Sequence, residues 1–280
     1  MAFEPTIVPQ LKETLLDLSA IRFGIVYQNS FIDPTEPNIE GAHIHNHLEI
    51  FFNVSSNVSF LVGNRLYAVD QGDAVFSRAN EIHVCIYNSA QTHEFFCLWI
   101  DADEETLRKL LPILINNSNP LLSYDDATKK KIQKSLHQLY SLQNDPSKNL
   151  EKTVSLLTLL SLIENNYAGE ELPETIPPDL QTIIDDVHTN FAEIHHVKDI
   201  MERHFVSSAT LNRWFRKYIR LSPREYLESK KLAHASKLLA QGVSVTEACY
   251  QAGFADCSHF IVLFKKKFLE TPLKYQQRFF

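Results

Sequence analysis

Residues 244–268 read SVTEACYQAGFADCSHFIVLFKKKF: a short helical segment, a tight turn at GFAD, and a second helical segment that closes on three lysines. The same texture occurs earlier, where VKDIMERHF and VSS precede TLNRWFRKYIRLSPREYL. Leu211, Phe215, Ser222, Pro223 and Tyr226 recur 49 positions later as Phe260, Phe264, Thr271, Pro272 and Tyr275, so the segment is one copy of an internal repeat. Two short helices joined by a turn, the second carrying basic residues, form a helix-turn-helix. The chain holds two.

Between the copies, Ser222-Pro223-Arg224-Glu225 is a capping box with proline at the first helical position, and Gly242 is a stop, which predicts a connecting helix over about 223–241. At ~1.5 Å per residue it spans roughly 28 Å. That is comparable to the ~34 Å between successive major grooves on one face of DNA, so one chain can serve two neighbouring grooves. On a helical wheel Leu211, Trp214, Phe215 and Ile219 fall on the inner side of the first copy, and Ala209, Asn212, Arg213 and Arg216 on the outer. Arg213 has the forked donors that suit a guanine edge and Asn212 can pair an adenine edge, while Arg216 and Lys217 suit phosphates. In the second copy Phe260, Leu263, Phe264 and Phe268 turn inward. Ser258, His259, Ile261, Val262, Lys265 and Lys266 turn outward, with the closing lysines expected on the phosphate backbone. Ile261 and Val262 either meet thymine methyl groups or pack on another part of the protein.

The charge agrees with this division. The net −7 conceals 12 Lys+Arg against 23 Asp+Glu in residues 1–178 and 15 against 11 in residues 179–280, so only the C-terminal part is basic. Cys85, Cys97, Cys249 and Cys257 have no CxxC spacing and sit in apolar runs, which reads as buried free thiols; Cys257, near a helix start, is also a candidate redox thiol. The N-terminus lacks a basic start followed by an apolar run, and no stretch reaches the ~18 apolar residues of a membrane span. A cytoplasmic protein without a membrane partner is expected.

From Ile21 to Ile100 the texture is of short strands, with a hairpin signal at Gly63-Asn64, and predicts an antiparallel sandwich or barrel. EETLRKLLPIL, ATKKKIQKSLHQLYSL and LEKTVSLLTLLSLIENNY are helical in pattern, and GEELPETIPPD reads as a linker. The domains expected are 1–168, a linker at 169–180, and 181–280.

Residues 181–280 resemble the DNA-binding domain of the AraC/XylS family of bacterial transcription regulators, through SSATLNRWFRK, SPREYLESKKLAHASKLL and SVTEACYQAGFADCSHFIVLFKKKF followed by TPLKY. By position the resemblance assigns base reading to Ala209, Asn212 and Arg213 in the first motif and to Cys257, Ser258, His259 and Val262 in the second. The glycine usual after each reading helix is Arg220 in one copy and Leu269 in the other, and the usual arginine of the connecting helix is Lys231.

The N-terminal part resembles the cupin-like sensor domain of that family, through AHIHNHLEIFF and VDQGDAVFSRANEIHVCIY. The fold class implied is α+β multidomain: an antiparallel cupin-like β-barrel with following helices, then an all-α domain with two helix-turn-helix motifs. In a strand, His43, His45, His47 and Glu49 share a face. His43, His45, Glu49 and His83 match the ligand set of metal-binding cupins, whereas Arg78 and Asn80 replace that motif's usual proline and glycine. Three uses of the site stay open: an organic effector held by His43, His45, Glu49, Arg78, His83 and Tyr87, a metal ion, or purely structural histidines. Phe51, Phe60, Tyr67, Phe76, Tyr87 and Phe95 are candidates for an apolar pocket lining, although alternation alone does not say which face inward. The leucine-rich stripe through Leu150, Val154, Leu157, Leu160 and Ile163 packs on the barrel or joins two subunits. Together these imply an effector-controlled activator, not an enzyme, whose partners are promoter double-stranded DNA, RNA polymerase, a small-molecule effector and a second copy in a homodimer. The alternatives are a ligand-independent regulator and a metal-dependent cupin enzyme with a DNA-binding appendage.

Overall fold

The structure, a computed structural model, describes residues 21–34, 42–55, 58–165 and 176–279. One antiparallel sheet places β1 (Arg22–Ile32), β7 (Gln91–Asp101), β2 (Leu48–Asn53), β5 (Ala74–Ser77) and β8 (Leu121–Leu122) side by side; a second places β4 (Arg65–Val69), β3 (Val58–Val62) and β6 (His83–Tyr87). The hairpin expected at Gly63-Asn64 joins β3 to β4, with Gly63 at φ 62°.

Strands β2, β3 and β5 read as nearly unbroken apolar runs because both their faces are buried. In β2, Leu48, Ile50 and Phe52 face a core shared with helices, whereas Phe51 joins a second core between the sheets. In β3 and β6, Phe60 and Val62 point between the sheets, and Leu61, Val84 and Ile86 point the opposite way into a third core. Of the aromatic candidates, Phe51, Phe60, Tyr67 and Phe95 lie in the inter-sheet core, while Phe76 lies among the helices.

The helices on the five-stranded sheet are α1 (Glu104–Leu110), α2 (Pro112–Asn116), α3 (Asp126–Leu142) and α4 (Asn149–Asn165). Of the α4 stripe, Leu160 and Ile163 pack on the sheet's core, but Leu150 and Val154 are 78% and 56% exposed. Residues 169–175 of the expected linker lie outside the described residues. Ile176 and Leu180 already belong to the third core, and α5 (Pro178–Asn190) begins ahead of the expected boundary at 181.

There follow α6 (Val197–Arg203), α7 (Ser208–Tyr218), α8 (Pro223–Ala240), α9 (Val245–Gln251), α10 (Cys257–Phe268) and α11 (Pro272–Gln276). The capping box at Ser222 and Glu225 forms as expected. The repeat is structural as well as sequential. Phe215 and Tyr226 meet edge to face at 5.6 Å and 72°, and Phe264 and Tyr275 at 5.4 Å and 78°. Both tyrosines are buried, and both hydroxyls donate to the N-terminal part, Tyr226 to the Gly63 carbonyl at 3.1 Å and Tyr275 to Asn80 Oδ1 at 3.3 Å.

The helix ends lacking the usual glycine keep a left-handed backbone all the same, with Arg220 at φ 57° and Leu269 at φ 62°. Leu269 is 88% exposed, so its side chain gains little from burial to offset that strain. Leu269→Gly is expected to stabilise the protein by about 1 kcal/mol, read as a higher denaturant midpoint with unchanged m-value.

Candidate DNA interface and ligand cavity

The two reading helices are held from behind by apolar residues. Leu211 and Phe215 of α7, and Phe260 and Phe264 of α10, are fully buried. Ser207 caps α7 by accepting from the Thr210 amide, and Asp256 caps α10 by accepting from the Ser258 amide. Outward, Ala209, Asn212, Arg213, Arg216 and Lys217 line one surface depression together with Arg220, which the sequence reading did not include. Asn212 turns its amide back to the Ser208 carbonyl at 2.8 Å, so reading a base requires a rotamer change. On α10, Ser258, His259, Ile261, Val262, Lys265 and Lys266 are exposed, and Val262 is 65% so. Among the described residues Ile261 and Val262 are not packed away against another part of the protein.

Two expectations for this face change. Cys257 is half-buried and packs on the apolar core, because the first residue of α10 points back toward α9, where Cys249 lies. The three closing lysines do not act alike: Lys267 Nζ donates to the Ala42 carbonyl at 3.0 Å, which leaves Lys265 and Lys266 facing outward.

Between the sheets lies a cavity of about 780 Å³. His43, His45, His47 and Glu49 line one side, and Phe51, Phe60, Tyr87, Phe95 and Trp99 supply aromatic walls. Cys85 and Cys97 line it as well, so these thiols face the cavity rather than a closed core. Arg78, proposed from sequence as a ligand contact, is elsewhere: it lies over the Phe76 ring and donates to the carbonyls of Ile115 and Asn117. Trp99 and Gln28 were not picked out from the sequence, and Cys97 was read there only as a buried thiol. Their strands alternate, but only the closing of one sheet over the other gives those residues a common space.

The histidines converge without the continuous strand expected for them. Residues 44–47 are irregular, and β2 begins only at Leu48. His43 instead forms an isolated bridge to His83, with backbone bonds of 2.9 and 3.1 Å in both directions. His45 and His47 stack with ring centroids 3.7 Å apart. Ligand atoms of His43, His45, Glu49 and His83 lie within 4.8 Å of one another.

The hydrogen bonds around this cluster fix which nitrogen faces inward. His45 Nδ1 meets the His47 carbonyl at 3.0 Å and His83 Nδ1 meets the Glu81 carbonyl at 2.9 Å; a carbonyl only accepts, so Nδ1 carries a proton in each ring. Each Nε2 then faces Glu49, at 3.2 Å from His45 and 3.7 Å from His83. His83 Nε2 is buried and, among the described residues, has no hydrogen-bond partner. Burial, reinforced by His43, pulls the His83 pKa down to about 3. Burial pushes the Glu49 carboxyl up, but the His45 hydrogen bond and the neighbouring imidazoles outweigh it and hold its pKa at about 2. An ionised carboxylate beside an inward imidazole lone pair attracts a cation or a hydrogen-bond donor and repels an anion. Two imidazoles oriented by backbone carbonyls, a third imidazole and a carboxylate also fit a divalent transition metal.

A helix-turn-helix domain family matches residues 200–278. The chain is 22% identical over 262 residues to the HTH-type transcriptional activator RhaS of Shigella sonnei, covering 88% of this chain and 91% of the relative. Residues 200–278 are a helix-turn-helix domain of the AraC type. The chain is also 24% identical over 221 residues to the HTH-type transcriptional regulator YbfI of Bacillus subtilis, covering 78% of this chain and 80% of the relative. Among solved structures it is similar to ToxT of Vibrio cholerae, at 13% identity and a TM-score of 0.37 over 95% of this chain and 100% of the other. No helix among the described residues is long and apolar enough to cross a membrane.

The buried neutral His83 makes stability depend on pH. Its proton is taken up near the ordinary value of 6.5 in the unfolded chain but only near 3 in the fold, so stability is full above about 6.5 and falls as pH drops through that interval. His83→Gln is expected to lessen this fall by about 1.4 kcal/mol per pH unit, measured by denaturant titrations between pH 7.5 and 5 in the presence of a chelator.

Proposed function

We propose that this regulator is a cytoplasmic, sequence-specific transcription activator that binds promoter double-stranded DNA through α7 and α10, under the control of a small molecule held between its sheets. The observation that carries the DNA reading is the pair of repeated helices, each locked from behind by buried phenylalanine and each exposing polar and basic residues in front. Activation is supported by the name of the relative RhaS, and it brings RNA polymerase as a partner. Leu150 and Val154, exposed on α4, support a homodimer through that helix.

The effector reading is supported by a cavity that combines aromatic walls with one polar corner, the arrangement of small-molecule sites. Among the described residues no lysine or arginine lines it, while Glu49 is ionised, so a neutral donor or a cation suits it better than a carboxylate or phosphate. A second reading, a divalent metal ion at His43, His45, Glu49 and His83, is favoured by the unpartnered His83 Nε2. Bound there, the ion would supply a positive charge and open coordination positions toward the cavity. The relatives' names as regulators support a sensing rather than a catalytic use of this domain.

The DNA reading is tested by two substitutions and a salt series on full-length protein. Arg213→Ala is expected to cost about 1 to 3 kcal/mol on a selected site and much less on random DNA. Lys266→Ala is expected to weaken both about equally and to reduce the slope of log affinity against log salt by roughly one. An Arg213→Ala variant that lost affinity equally on both DNAs would remove α7 from base reading.

A further inference from the structure

The third core joins the outer face of the three-stranded sheet to the DNA-binding domain, and one polar residue stands at the junction. Asn80 occupies the turn between β5 and β6 with φ 60°, a left-handed conformation. Its amide donates to the His45 carbonyl at 2.7 Å. Its side-chain Oδ1 accepts from Ser236 Oγ at 2.7 Å and from the Tyr275 hydroxyl at 3.3 Å. Ser236 is fully buried on α8, the helix that connects the two helix-turn-helix motifs, and Tyr275 packs edge to face on Phe264 of α10.

We propose that Asn80 is the positioning residue through which the state of the histidine corner is passed to the DNA-binding domain. This rests on the regulator reading above and names its internal route. His45 presents its ring to Glu49 and its backbone carbonyl to Asn80, so a ligand that moves the ring pulls on a bond of Asn80. The Asn80 backbone moves with that bond, and its side chain carries the displacement to α8 and α11 together. Because α11 seats against α10, the second reading helix is the first to respond. The residue type suits the task. A left-handed turn is open to glycine, asparagine and aspartate at low cost, and of these only the latter two carry an acceptor to two hydroxyl donors. The Gly63–Tyr226 contact of the first repeat runs from a backbone carbonyl and has no such link to a cavity ligand.

The test is a double-substitution cycle on full-length protein, with affinity measured for a DNA site obtained by selection. The cavity is perturbed by Glu49→Gln, by His45→Gln, and by added Zn²⁺ against chelator, each with folding checked by circular dichroism. At least one of these is expected to change DNA affinity of the otherwise wild-type protein by about fivefold or more. In the Asn80→Gly background, which keeps the backbone conformation and loses the acceptor, the same perturbation is expected to change affinity by less than about twofold. Asn80→Asp should restore the response, and Tyr226→Phe should retain it. The proposal is overturned if the effects at the cavity and at Asn80 are additive, if Asn80→Asp does not restore the response, if Tyr226→Phe abolishes it equally, or if no perturbation changes affinity. A wild-type protein that binds no DNA would instead remove the regulator reading.

Discussion

The three-stranded sheet has no face left for water, and the rest of the molecule is arranged around that constraint. Phe60 and Val62 on its inner side join the core between the sheets, while Leu61, Val84 and Ile86 on its outer side complete the core of the DNA-binding domain. Burying an aliphatic side chain is worth about 1.5 to 3 kcal/mol, so the N-terminal sheets and the C-terminal helices share stabilisation rather than merely touching. A strand with side chains committed on both faces transmits displacement poorly through flexible space and well through packed atoms.

The repeat explains how two similar motifs come to sit on one sheet. Each contributes a phenylalanine to hold its reading helix and a tyrosine to reach the N-terminal domain. The targets differ, a main-chain carbonyl for Tyr226 and an asparagine side chain for Tyr275. A carbonyl within a hairpin is fixed by the strands around it, whereas Asn80 sits in a turn bonded to a residue that lines the cavity. The pseudo-symmetry of the helix-turn-helix part is thus broken at its attachment to the N-terminal sheets, and the asymmetry singles out the second motif. Lys267, the lysine of α10 that turns inward, adds a further tie at Ala42, next to His43.

Charge is divided in keeping with this layout. The outer faces of α7 and α10 hold arginines and lysines toward solvent, where a polyanion is attracted over a Debye length. Inside the sheets the polarity is reversed: an ionised carboxylate sits beside His83, whose hydrogen bond to the Glu81 carbonyl turns a lone pair inward. The same chain therefore offers opposite electrostatic preferences at its two candidate sites.

Much of the reader was legible in the sequence. Apolar residues at helical spacing, a capping box and a repeat are local signals, set by the backbone period and by short-range hydrogen bonds, and they located α7, α8 and α10 and the outward positions Arg213, Val262 and Lys266. They failed for Cys257 and Lys267, whose surroundings are supplied by α9 and by Ala42. The histidine spacing indicated a shared site at His43, His45, Glu49 and His83, but not the irregular segment that brings them together, nor the removal of Arg78 to the α2 carbonyls. Period-two alternation also could not tell Phe51 from Phe76, since both faces of these strands are buried and apolar on either side looks the same. Asn80 appeared in sequence only as a departure from a motif; that its amide meets the carbonyl of the cavity-lining His45 and its side chain meets two distant helices was decided by tertiary structure, because a hydrogen bond between residues 156 and 195 positions apart leaves no periodic mark along the chain.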